Sequence, residues 1–202
     1  MADWIYDALE WFQTFMDEGS LADAALTAGI SAIGYLLVVA VHESGHLLAA
    51  LLTGNRVHEL RVGDTDDVTV TAGAFRLRLG RLRGEGDVGG YVIYDGSFAT
   101  PRQILAIALA GPAANLLGAA VVVAFAVRAE GMLSAVLFLW ILVSLVSAVA
   151  NLRPGGDPGT PEEWNDGRWV QVAWRARHAP FVANPADSDP NAPTSIPPPT
   201  FR

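Results

Sequence analysis

The chain has no cysteine and no lysine. Without cysteine there is no disulfide framework and no thiolate-held metal, so any metal must be held by histidine and carboxylate. All thirteen basic residues are arginine, and twenty-one acidic residues leave a net charge of -8. That balance excludes the basic face on which nucleic-acid binding depends, and no nucleic-acid partner is expected. Positions 1–55 contain no basic residue at all. The N-terminus has neither the basic n-region nor the short apolar h-region of a cleavable signal peptide, so the first apolar span is expected to direct insertion.

What the chain has in abundance is bunched apolar sequence: 51% of its 202 residues are hydrophobic, a composition suited to a small polytopic membrane protein. Three runs are long enough to cross about 30 Å of hydrocarbon. The first belongs to a helix expected from about Leu21 to Thr53, capped by Ser20 and stopped by Gly54 and Asn55. The others run from about Gln103 to Val127 and from Met132 to Asn151, and the four residues between them make these two spans antiparallel neighbours. Ahead of the spans, Trp4, Ile5, Ala8, Leu9, Trp11, Phe12, Phe15 and Met16 recur at helical spacing opposite an acidic face. That pattern suits an amphipathic helix at the membrane interface or packed on the rest of the protein.

About fifty residues after the first span follow a different period. Val57 to Val62, Val68 to Thr71, Phe75 to Leu79 and Val88 to Tyr94 read as short strands between Gly and Asp turns. Arg76 and Arg78 alternate with apolar neighbours, so one face can meet water while the other rests on the helices or the bilayer. The expected fold is therefore mainly α, a polytopic membrane protein with three transmembrane helices. A small antiparallel β-sheet lies between the first and second, and an amphipathic helix precedes them. The expected domains are an interfacial helix at 1–19, a three-span core at 20–178 with its β-region at about 55–95, and a disordered proline-rich tail at 179–202. Seven arginines in 56–102 and five from 153 onward, against none in 1–55, place the N-terminus outside and the C-terminus in the cytoplasm. Such a chain is an integral membrane protein, with the cell membrane its expected location.

Inside the first span stands His42-Glu43-Ser44-Gly45-His46. On a helix the i, i+4 spacing stacks both imidazoles on one face, where they can share a metal, with Glu43 in reach of a water activated there. For a chain with four histidines and eight glutamates, H-E-x-x-H arises by accident in roughly three of a thousand. Ionisable residues in a span carry an insertion cost of about 2.5–3.5 kcal/mol or more each, so they ordinarily face a bundle interior or polar cavity. A catalytic zinc wants a third protein ligand. His58, His178, Asp157 and Asp166 are the candidates, and the two aspartates lie in a Gly/Pro-rich stretch after the third span. At about 1.5 Å per residue, His42, the Gly111 to Asn115 segment and Asn151 fall in one layer towards the cytoplasmic side.

These residues carry a resemblance. His42-Glu43-Ser44-Gly45-His46, then Gly111-Pro112-Ala113-Ala114-Asn115, then Asn151-Leu152-Arg153-Pro154 with the later Asp166-Gly167, resemble in content and order the signatures of the site-2 protease family of intramembrane zinc metalloproteases. The resemblance covers approximately residues 25–170, and Gly89-Gly90-Tyr91-Val92 is similar to the family's membrane-associated sheet region. It implies a three-helix catalytic core and a zinc endopeptidase that cuts transmembrane or membrane-proximal segments of other membrane proteins. It further implies Zn2+ held by His42, His46 and Asp166, with Glu43 as general base. Asn115 and Asn151 would line the cleft and hold the substrate backbone. The spacing departs from the family: Asp166 lies fifteen residues after Asn151 and Asp157 only six. Asp166 is preferred because Asp-Gly-Arg matches the family and a helix can restart after it. No PDZ or nucleotide-binding regulatory domain is recognisable. The main rival is a catalytically inactive relative that binds membrane segments as a scaffold; a different membrane metalloenzyme, acting on lipid or small peptides, is another.

Overall fold

A computed structural model describes residues 3–63, 67–80, 89–95, 99–156 and 164–178. Asp157 and the tail from 179 lie outside these residues, as does Val88. Helix α1 (Asp3–Glu18) leads into α2 (Leu21–Leu52), followed by strands β1 (Val57–Val62), β2 (Val68–Ala72), β3 (Phe75–Leu79) and β4 (Gly90–Tyr94). Helices α3 (Pro101–Ala126), α4 (Gly131–Leu152) and α5 (Asp166–His178) complete the chain. Helices α2, α3 and α4 are each long and apolar enough to cross a membrane.

The helix starts follow local chemistry. Ser20 and Asp23 form a reciprocal capping box at α2, in which the Asp23 N–H donates to Ser20 Oγ and the Ser20 N–H to Asp23 Oδ2. Thr100 and Gln103 repeat it at α3, and Gln103 Nε2 also donates to the Thr53 carbonyl at 2.9 Å, tying the start of α3 to the end of α2. At thirty-two residues α2 is about 48 Å long, more than a bilayer core requires. Its buried residues are Val38, Val39, His42, Glu43, His46 and Ala50, all in its second half. The first half is free to face lipid.

Apolar helices gain little by leaving lipid for one another, so close backbone approach decides their packing. Gly45 of α2 supplies it: a Cβ built there would stand 2.3 Å from the Ala110 carbonyl oxygen of α3. Helix α1 packs on α4. Trp4 and Ala8 are buried, the Trp4 ring meets Phe138 at 5.9 Å, and Ser134 Oγ donates to the Trp4 carbonyl at 2.7 Å.

The sheet corrects the antiparallel expectation. Its order is β2-β3-β1-β4, and β1 pairs with β3 in parallel, whereas β1–β4 and β2–β3 are antiparallel. A period-two pattern assigns faces and says nothing of strand direction. Here the direction places Arg76 opposite Glu59 and Arg78 opposite Arg61. Glu59, buried, then receives Arg78 Nε at 3.2 Å, Arg76 Nε at 3.6 Å and the Tyr91 hydroxyl at 3.0 Å. The opposite face, with Leu60 and Val92, packs with Ala50, Ile104, Ile107, Trp169 and Ala173 in one core that joins the sheet to α2, α3 and α5.

The ion pairs on the outer face are thus expected to hold β3 beside β1. Removing Glu59 takes the carboxylate from a half-buried guanidinium, so Glu59→Ala should cost about 1–3 kcal/mol. Thermal unfolding in detergent of Glu59→Ala, Arg78→Ala and the double variant checks this. A coupling energy of at least about 0.5 kcal/mol is expected, and strict additivity would show that the pair contributes nothing.

Candidate metal centre

One helical turn separates His42 and His46 on the buried face of α2, with ring centroids 4.8 Å apart. Their Nε2 atoms face each other at 3.1 Å. Asp166, the first residue of α5, brings its carboxylate to both: Oδ2 lies 2.9 Å from His42 Nε2 and Oδ1 3.2 Å from His46 Nε2. His42 is 4% exposed, His46 and Asp166 0%. Donor atoms of the three residues all lie within 4.8 Å of one another.

Outer contacts fix the rings. His46 Nδ1–H donates to the Ile107 carbonyl of α3 at 2.7 Å, which leaves Nε2 as the bare nitrogen turned to the cluster. His42 Nδ1 accepts from Asn115 Nδ2 at 3.2 Å. Asn115 Nδ2 also donates to Ser147 Oγ of α4 at 3.3 Å, and Asn151 Nδ2 reaches the same oxygen at 3.4 Å. One polar chain therefore runs from α2 through α3 to α4. Gly111 makes the space: a Cβ there would stand 2.3 Å from His46 Nε2 and 2.7 Å from His42 Nε2. Pro112 follows inside a helix that stays continuous, at the cost of one missing N–H.

Glu43 is 2% exposed, and among the described residues its Oε2 is buried without a hydrogen-bond partner. A carboxylate oxygen left so is costly unless something else satisfies it. The start of β4 stands against this side chain, since a Cβ on Gly90 would be 2.6 Å from Glu43 Cγ. Two nitrogens, a carboxylate and a neighbouring free carboxylate oxygen make a donor set suited to a divalent cation with one position left for chemistry.

A model of peptidase family M50 matches residues 30–151. The chain belongs to that family. It is a membrane-embedded metalloprotease family, and with three apolar helices the M50 chain is an integral membrane protein. The match takes in His42 to His46 and Gly111 to Asn115 and ends at Asn151, so the arrival of Asp166 is read from the fold and not from the match. No curated protein matches the chain.

The structure brings His42, Glu43, His46, Asn115 and Asp166 into one buried region and leaves Asn151 one bond further out, on Ser147. Among the described residues, the metal-competent group is His42, His46 and Asp166; His58 sits in β1 and His178 ends α5. Asp157 lies outside the described residues. Sequence reasoning missed Ser147 and the Ile107 carbonyl. Ser147 carried a signal, being a polar residue four positions before Asn151 in a span; a backbone carbonyl carries none. An apolar groove of about 250 Å³ between α2 and α4 takes in Ile30, Gly34, Tyr35, Leu139 and Trp140. It lies about 10–18 Å along α2 from His42 and holds none of these groups.

Gly111→Ala should cut the metal content of the purified M50 chain at least about tenfold, because the new methyl takes the space of both imidazole nitrogens. Elemental analysis alongside circular dichroism checks it. Unchanged metal content in a folded variant would show that the cluster is not where the metal binds.

Proposed function

We propose that this chain is an intramembrane zinc endopeptidase that hydrolyses peptide bonds in or near transmembrane segments of other membrane proteins. The convergence of His42, His46 and Asp166, buried within a three-span bundle, carries this reading. Taking one ligand atom from each of the three residues, all lie within 4.8 Å of one another, close enough for a single cation to be held by all three.

Bound zinc supplies Lewis-acid polarisation of a carbonyl and acidifies water. The protein's own residues do the rest. Glu43 Oε2, buried and without a protein partner, is the general base that takes the proton from the attacking water and returns it to the leaving amine. Asp166 contributes one negative charge to the ligand set. Both nitrogens that serve as ligands must be bare, so each imidazole needs its proton on Nδ1. The Ile107 carbonyl secures that for His46. For His42 the neighbour is Asn115, whose Oδ1 is buried with no protein partner while Nδ2 faces Nδ1. Turned over, the same carboxamide accepts from Nδ1–H, so Asn115 acts first as an orienting group for His42. Asn151 keeps the proposed part of holding substrate backbone.

A spanning substrate segment is fully hydrogen-bonded as a helix and must be extended before its carbonyls are reachable. Gly90 brings β4 against Glu43, so the extended segment passes the base at that strand. Arginine placement supports a site in the cytoplasmic half of the bilayer with the N-terminus outside.

Zinc content and cleavage of co-expressed single-span reporter proteins test the reading. Glu43→Gln should keep its zinc and lose at least about 10²-fold in rate. Asp166→Ala should lose zinc and activity together, whereas Asp157→Ala should keep both. Wild-type rates in Glu43→Gln would leave a segment-binding scaffold as the better account.

Gly90→Ala separates the base from the metal. Displacing Glu43 by about 1 Å should lower cleavage by up to about 10²-fold at full zinc occupancy. Undiminished cleavage would show that β4 does not position the base.

A further inference from the structure

Asp166 reaches the two histidines from a different direction than they reach each other. His42 and His46 share one helix, while Asp166 opens α5 after a connection whose residues 157–163 lie outside the described ones. Asn165 joins its two ends. Its Oδ1 accepts from the Gly155 N–H at 2.9 Å and from the Arg168 N–H at 3.1 Å, and its Nδ2 donates to the Arg153 carbonyl at 2.7 Å. Three hydrogen bonds of one carboxamide thus bind the segment leaving α4 to the first turn of α5. The fit is close on both sides: a Cβ on Gly155 would stand 3.1 Å from Asn165 Nδ2, and one on Gly167 2.3 Å from the Leu152 carbonyl oxygen.

The segment Asn165 grips is the end of α4, the helix whose Ser147 and Asn151 belong to the polar chain leading through Asn115 to His42. Both ends of the ligand set are therefore referred to one rigid helix. We propose that Asn165 is the positioning residue of the metal centre, a clasp that sets the Asp166 carboxylate against His42 and His46. This rests on the reading of Asp166 as a ligand.

A plainer role is available to Asn165, since accepting from Arg168 N–H also makes it the N-cap of α5. The two roles separate by substitution. Serine at 165 caps a helix as well as asparagine does, and its hydroxyl is too short to span Arg153 and Gly155. The full chain, purified in detergent as wild type, Asn165→Ser, Asn165→Ala and Asp166→Ala, is titrated with Zn2+ against a competing chelator. It is then loaded with Co2+ for its visible absorption, with circular dichroism to follow α5. Asn165→Ser, at unchanged helix content, should bind Zn2+ about 10- to 100-fold more weakly, as loss of an orienting contact does. Its Co2+ spectrum should shift with the altered coordination. Serine binding Zn2+ within twofold of wild type, with an unchanged Co2+ spectrum, would reduce Asn165 to a helix cap and overturn the clasp. Should Asn165→Ala fail to fold, the serine variant still decides. Asp166→Ala binding Zn2+ as wild type does would overturn the ligand reading, and this inference with it; weakened binding there beside normal binding in Asn165→Ser would overturn the clasp alone.

Discussion

Two imidazoles and a carboxylate, each at most 4% exposed, stand within 2.9–3.2 Å of one another in a bundle that faces lipid. Such groups are tolerated at that depth only when each is satisfied by the others and by a surrounding shell. The shell is what the remaining elements supply. Helix α3 gives the Ile107 carbonyl and the Asn115 amide, α4 gives Ser147, and α5 brings the carboxylate itself. Space comes from residues with no side chain, Gly111 under the imidazoles and Gly45 where α2 and α3 touch.

The same demand divides the chain along the membrane normal. Residues 21–37 of α2 bury no side chain fully, and Ile30, Gly34 and Tyr35 line the groove against α4. From Val38 onward α2 is walled in by α3, the sheet and α5, and every polar residue of the site lies at this end. The sheet belongs to the wall: Leu60 and Val92 close the core, while Glu59 draws Arg76 and Arg78 onto the far face and neutralises itself there.

Much of this was legible in the chain because membrane physics writes long signals. Apolar runs of span length, the cap at Ser20, and a histidine pair at i, i+4 each have one economical reading, and the structure carries α2, α3 and α4 within two residues of the expected ends. Strand faces were legible from alternation at Arg76 and Arg78, but the parallel pairing of β1 with β3 was not, since it sets Arg76 against Glu59, seventeen residues back. Among the site residues, Asn115 and Asn151 announced themselves as polar groups in spans. What they bond to did not: Asn115 meets His42, and Asn151 stops at Ser147. Tertiary partners of a carboxamide are chosen by helix rotation, which a near-uniformly apolar helix does not encode.

Asp166, the proposed third ligand, exposes the limit of reading by spacing. His42 and His46 are brought to one face by 3.6-residue geometry, a local property of α2. Asp166 has no such guarantee, and the family match ends fifteen residues before it. Its placement depends on contacts between the exit of α4 and the entry of α5, among them the Asn165 carboxamide and the absent side chain of Gly167. Once both ends of a connection are held, its length enters only as a slowly growing closure cost of roughly 0.6 kcal/mol per doubling. An aspartate fifteen residues beyond Asn151 can therefore occupy a place that a shorter connection would also reach, and the residues that grip the ends constrain it more than the number of residues between them.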